Sequence, residues 1–132
     1  MHLRPPHWTL ANLLILDACT CAGMGAALGL FHTPVGAWTG IPAPLLFWAG
    51  VALLPVAAFM AITARLRPIP ALAAHMVVAG NAVWILASLA LPVTGVISPN
   101  ALGWAFLIVQ AAAVAFLTIA EHAATKPALA TT

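Results

Sequence analysis

The chain has 132 residues, of which 64% are hydrophobic and 5% charged, and a formal net charge of +2. Soluble domains carry charge on about a quarter of their residues, so this composition, with a mean hydropathy of +1.12, excludes a water-facing surface and places the chain in a lipid bilayer. A span takes about 20 apolar residues, so four spans nearly exhaust the length, and the expected fold is an all-α membrane protein: one domain over residues 1–132, built as a bundle of four transmembrane helices. The basic residues are Arg4, Arg65, Arg67 and Lys126, too few to follow a phosphate backbone, so no nucleic acid is expected as a partner.

Met1–Thr9 (MHLRPPHWT) is a polar lead-in with Trp8 where interfacial aromatics are enriched. Arg4 before an apolar run is how a secretory signal begins, and Gly25 with Ala27 mimics a small-residue cleavage site. The run is longer than a signal core and contains Asp17, so a retained span over residues 10–31 is expected. Cys19 and Cys21 both lie inside it, and residues two apart on a helix do not face each other, so no disulfide joins them. The stretch His32–Pro42 (HTPVGAWTGIP), rich in glycine and proline, reads as a loop and not a helix.

The second span is expected over 43–63. Pro44 suits its first turn, whereas Pro55 cannot donate to the Val51 carbonyl, which predicts a kink there. After the short basic connection Ala64–Ile69, Pro70 opens a third span over 70–92. Ser98-Pro99 reads as N-cap and first-turn proline of a fourth span over 100–121, followed by a flexible tail, 122–132. In a four-span arrangement all four basic residues fall on one side and the opposite connections carry none. By the positive-inside rule both termini are then cytoplasmic, in a bacterial inner membrane.

Polar residues inside the spans need a reason. Asp17 lies about 10 Å below the cytoplasmic interface at about 1.5 Å per residue, and a central Asp costs about 2.5–3.5 kcal/mol, so it must face protein or a water-filled cavity. It serves either as helix glue or as a proton or cation site. Leu13, Cys21, Met24 and Leu28 share its face. Beside it, Cys21, Gly25 and Gly29 form a small-residue ridge at four-residue spacing that permits close helix packing.

In the third span Asn81, Trp84 and Ser88 share one face, with His75 rotated away from them. Trp84 at mid-depth needs an internal acceptor for its indole N–H. In the fourth span Gln110 sits near the midplane, and Glu121 at the cytoplasmic end is explained by solvation or by pairing with Arg65 or Arg67. Asp17, His75, Asn81, Trp84 and Gln110 thus form the expected intramembrane polar core, a binding site or a set of interhelical bonds.

Other chemistry finds little support in the residues. His7, His75 and His122 share a side but no ligand spacing, and there is no phosphate loop, nucleophile elbow or paired carboxylate motif. No metal, no cofactor and no enzymatic activity are expected. The segments GNAVWILAS (Gly80–Ser88) and SPNALGWAFLIVQAAAVAF (Ser98–Phe116) resemble those of small, uncharacterised four-span integral membrane proteins of bacteria. This resemblance covers about half of the chain and implies the four-span fold without an activity. A similarity of architecture alone links the chain to small multidrug-resistance transporters, with four short spans and one acid in the first; here that acid is Asp17 and not Glu, and the charge bias is strong.

Three functions are therefore open. The first is a structural or accessory subunit acting through helix contacts, with a membrane-protein partner or a second copy. The second is a proton-coupled small-molecule transporter working as an oligomer, with Asp17 titrating, and the third is a haem-binding redox subunit.

Overall fold

Thr9 starts the first helix: its hydroxyl accepts the Asn12 N–H at 3.2 Å from an extended backbone, satisfying one of the donors a helix start leaves open. The computed structural model describes residues 9–130, and the side chains of residues 9–126. It contains α1 (Leu10–Thr39), α2 (Ala43–Arg65), α3 (Ala71–Val93) and α4 (Ala101–Ala130), with no strand among the described residues. All four helices are long and apolar enough to cross a membrane. The expectations for Arg4, His7 and Trp8 lie outside the described residues.

α1 does not end where its apolar run does. Its dihedrals break at Phe31 (φ −115°, ψ 25°), and the helix resumes through Pro34 to Thr39. The segment expected as a loop is therefore helical. Pro34 has no N–H to give the preceding turn, but in the first turn after a break none is required. Gly40 terminates the segment at φ 73°, in the left-handed region open to glycine, and its N–H reaches the Gly36 carbonyl at 2.9 Å.

α2 is assigned as one helix on both sides of Pro55, where the kink is expected. A proline removes one hydrogen bond, and a spanning helix tolerates this where its surroundings accommodate the freed carbonyl. α4 also departs from expectation at both ends. Its N-cap is Asn100 and not Ser98, with Oδ1 accepting the Gly103 N–H at 2.9 Å. The same residue donates its side-chain amide to the Trp38 carbonyl and its backbone N–H to the Thr39 carbonyl, both at 2.9 Å. One asparagine thus caps α4 and fastens it to the end of α1. At the other end α4 continues to Ala130, through most of the stretch expected as a flexible tail.

The helices run up, down, up and down. α1 packs on both α2 and α4, and α3 packs on α4, while α2 and α3 barely meet. Two apolar clusters hold the ends. Leu10, Leu14, Met60, Ala64 and Val77 belong to one, and Leu28, Ile41, Leu46, Ile97 and Leu107 form the other.

α1 and α2 approach closely where Gly25 meets Gly50. A β-carbon at Gly50 would stand 2.7 Å from the Gly25 carbonyl oxygen and 2.8 Å from the Gly29 nitrogen. Of the expected ridge, Gly25 carries the contact with its missing side chain. Gly29 contributes only backbone, since a β-carbon there meets nothing within 4 Å. Cys21 is half-buried beside the polar site.

Candidate functional site: two acids on one asparagine

The chain contains only two acidic residues, and the fold brings them together. Asn81 of α3 donates one amide hydrogen to Asp17 Oδ2 of α1 at 2.8 Å and the other to Glu121 Oε1 of α4 at 3.0 Å. All three are sealed inside the bundle, at 1% exposure for Asp17, 6% for Asn81 and 0% for Glu121. The two carboxyl groups thus meet at one amide. Asp17 Oδ1 accepts from the Cys21 thiol at 3.6 Å, and Glu121 Oε2 is buried with no partner.

Local sequence explains the placement. Asp17, Asn81 and Glu121 each follow the buried stripe of their helix, on which Leu14 and Ala18, Ala74 and Val77, and Leu117 are also buried. Hydroxyls one turn away bond back onto the helix: Thr20 donates to the Asp17 carbonyl at 2.8 Å and Thr125 to the Glu121 carbonyl at 2.7 Å. In hydrocarbon such back-bonding satisfies a hydroxyl that water cannot reach.

Glu121 is the main correction to the sequence reading. It is neither solvated nor paired with arginine. Arg67 instead donates to the Ala64 and Leu66 carbonyls at 2.7 and 2.9 Å, closing the end of α2, and Arg65 is exposed. Because α4 runs on past residue 121, that position is inside the helix and not at its end.

A second polar unit lies farther along the bundle. The Trp84 indole N–H donates to Gln110 Oε1 at 3.0 Å, which is the internal acceptor its depth required, and Gln110 in turn donates to the Leu107 carbonyl at 3.0 Å. Ser88 bonds back to the Trp84 carbonyl at 2.7 Å. Of the expected five-residue core, Asp17 and Asn81 join Glu121 in a triad, and Trp84 and Gln110 form a separate pair. His75 belongs to neither, because it is exposed on the face of α3 turned away from Asn81. His122 is exposed too, and among the described residues no three His, Cys, Asp or Glu side chains are placed to hold a metal ion.

Cavities surround these polar units. One of about 590 Å³ lies between α1 and α4 and is lined by Asp17, Cys21, Trp84 and Gln110 among apolar side chains. One of about 200 Å³ lies between α2 and α3, where those helices separate, and reaches Asn81. A third of about 380 Å³ lies toward the Leu28–Leu107 end of the bundle. Trp84 forms part of the wall of all three. Comparisons with protein-family models, with curated proteins and with solved structures return no match.

Proposed function

We propose that this is a multi-pass protein of the bacterial inner membrane, with both termini cytoplasmic, that couples a proton to the handling of a small molecule at the Asp17–Glu121 site, working as an oligomer. Arg65, Arg67 and Lys126 cluster at one end of the bundle, and the positive-inside rule supports that orientation.

The observation that carries the function is the meeting of the only two acids at one buried amide, with one carboxyl oxygen unpartnered. Two bare carboxylates without a cation in an apolar interior are costly. A proton held between them removes one charge and gives Glu121 Oε2 a role. Glue alone has no need of such a pair, since an amide at either position would bond without charge. A structural or accessory role is the second reading, favoured by the way Asn81 joins three helices in a single set of bonds.

The two readings separate in a protein whose only tryptophan is Trp84, the other four being replaced by Phe. Its fluorescence, followed against pH, is expected to titrate, and Asp17→Asn is expected to abolish the response while the protein stays folded. A flat profile in the parent, or an Asp17→Asn variant that only lowers yield or helix association, returns the weight to the structural reading.

A further inference from the structure

The cavity toward the Leu28–Leu107 end of the bundle, about 380 Å³ in volume, stands apart from the acid pair: neither Asp17 nor Glu121 forms part of its wall, and no other charged residue does. An ion there would lose its water without meeting a counter-charge, so the occupant must be neutral. The volume falls within the roughly 300–1,000 Å³ usual for small-molecule sites, which pair apolar walls with few polar groups.

One group supplies the polar recognition. The Trp84 indole N–H can only donate, so it fixes Gln110 Oε1 on its own side at 3.0 Å and turns the amide nitrogen the other way. That nitrogen gives one hydrogen to the Leu107 carbonyl at 3.0 Å and keeps the second. Ser88, also in the wall, spends its hydroxyl hydrogen on the Trp84 carbonyl. Gln110 therefore offers a donor, and a neutral apolar ligand answers it with a carbonyl oxygen. The rings of Trp48, Trp84 and Phe106 border the same space, and aromatic side chains pack a flat ring in offset or edge-on contact.

The way in lies between α2 and α3. Close packing at Gly25 and Gly50 holds α2 on α1, whereas Asn81 and Trp84 bond α3 to α4. Between the two pairs α2 and α3 barely meet, and at the cavity wall Trp48 is 64% exposed and Ala87 is exposed. In a bilayer that exposure is to lipid, so a molecule dissolved in the membrane enters without crossing water.

We propose that this cavity binds a membrane quinone. One ring carbonyl oxygen accepts the free Gln110 amide hydrogen, the ring packs among Trp48, Trp84 and Phe106, and the apolar tail leaves through the gap between α2 and α3. An acyl ester of the bilayer also carries a carbonyl, but it has no ring to fill the aromatic wall. The site is separate from the acid pair and does not depend on a proton being held there.

The test uses the full chain in detergent with Trp84 as its only tryptophan, since a quinone quenches an indole on contact and Phe at position 48 keeps a ring in the wall. Decylubiquinone is expected to quench Trp84 saturably. Decylbenzene, which has ring and tail but no carbonyl, and methyl decanoate, which has a carbonyl but no ring, are each expected to compete at least about tenfold more weakly. Gln110→Leu is expected to remove the preference for decylubiquinone over decylbenzene, a selective change that a general loss of packing would not produce. Ala87→Phe, at the exposed mouth, is expected to abolish saturable quenching with helical content unchanged.

Quenching that rises without saturation in the parent, as partition into detergent alone would give, overturns the assignment. So do equal competition by decylbenzene, a preference that survives Gln110→Leu, and unchanged quenching in Ala87→Phe. Equal competition by methyl decanoate overturns the quinone in favour of a lipid acyl ester.

Discussion

Replacing Asn81 by Leu is expected to destabilise the bundle by roughly 2–4 kcal/mol. The substitution keeps the branched shape but removes both donors at once, leaving Asp17 Oδ2 and Glu121 Oε1 as buried acceptors without partners, and each such group costs about 1–3 kcal/mol. Unfolding in detergent by increasing sodium dodecyl sulfate measures the loss. The informative comparison is a variant with Leu at all three positions. Removing a whole buried ionisable network is often neutral or stabilising where removing one partner is harmful, so this triple variant is expected to recover most of the stability lost in Asn81→Leu. It would also lose the Trp84 titration. Recovery of stability without recovery of the titration separates what the triad does for folding from what it does as a site.

Gly50→Val is expected to be the most damaging change in the packing of α1 on α2. Its β-carbon would stand 2.7 and 2.8 Å from backbone atoms of Gly25 and Gly29 and 2.9 Å from the Leu28 β-carbon, and backbone cannot rotate away as a side chain can. The helices must separate, at a cost of about 1–3 kcal/mol or more by the usual scale of overpacking. Gly23→Ala and Gly29→Ala provide the contrast, since a β-carbon at either position meets nothing within 4 Å. Both are expected to be neutral or to stabilise by about 0.5–1 kcal/mol through helix preference. The same detergent titration ranks all three.

Much of the architecture is legible in the residues, because a bilayer leaves a chain few options: every backbone group must be satisfied within the span, so apolar runs of sufficient length become helices. The run ending at Phe31 ends where the helical dihedrals break, yet the chain then re-enters a helix that Pro34 and Gly36 had argued against. Those residues punctuate helices in water. Beside α4, with Asn100 holding the Trp38 and Thr39 carbonyls, they do not.

The polar core was legible in part. Asp17, Asn81, Trp84 and Gln110 all carry side chains that apolar surroundings oblige to find partners, and in the structure each has one. Glu121 differs from expectation because the expected end of α4 falls on it, and an acid at a helix end is ordinarily solvated. Its position on the Gln110 face was available as a signal, and the length of α4 was not. The ridge on α1 does not by itself identify Gly50 as its counterpart. Gly50 lies on the buried stripe of α2 with Leu46, Leu53 and Ala57, a pattern visible in the sequence once a glycine there is asked what it admits. His75 shares only its depth with the core, and its rotation from Asn81 turns it elsewhere.

The central claim, that Asp17 and Glu121 share a proton at neutral pH, is tested most directly by infrared spectroscopy of the protein in lipid. The account predicts a carbonyl stretch from a protonated carboxyl group at neutral pH, shifted in Asp17→Asn and in Glu121→Gln and absent when both are replaced. A spectrum showing only ionised carboxylates at neutral pH, or a protonated band that survives the double replacement, would contradict it.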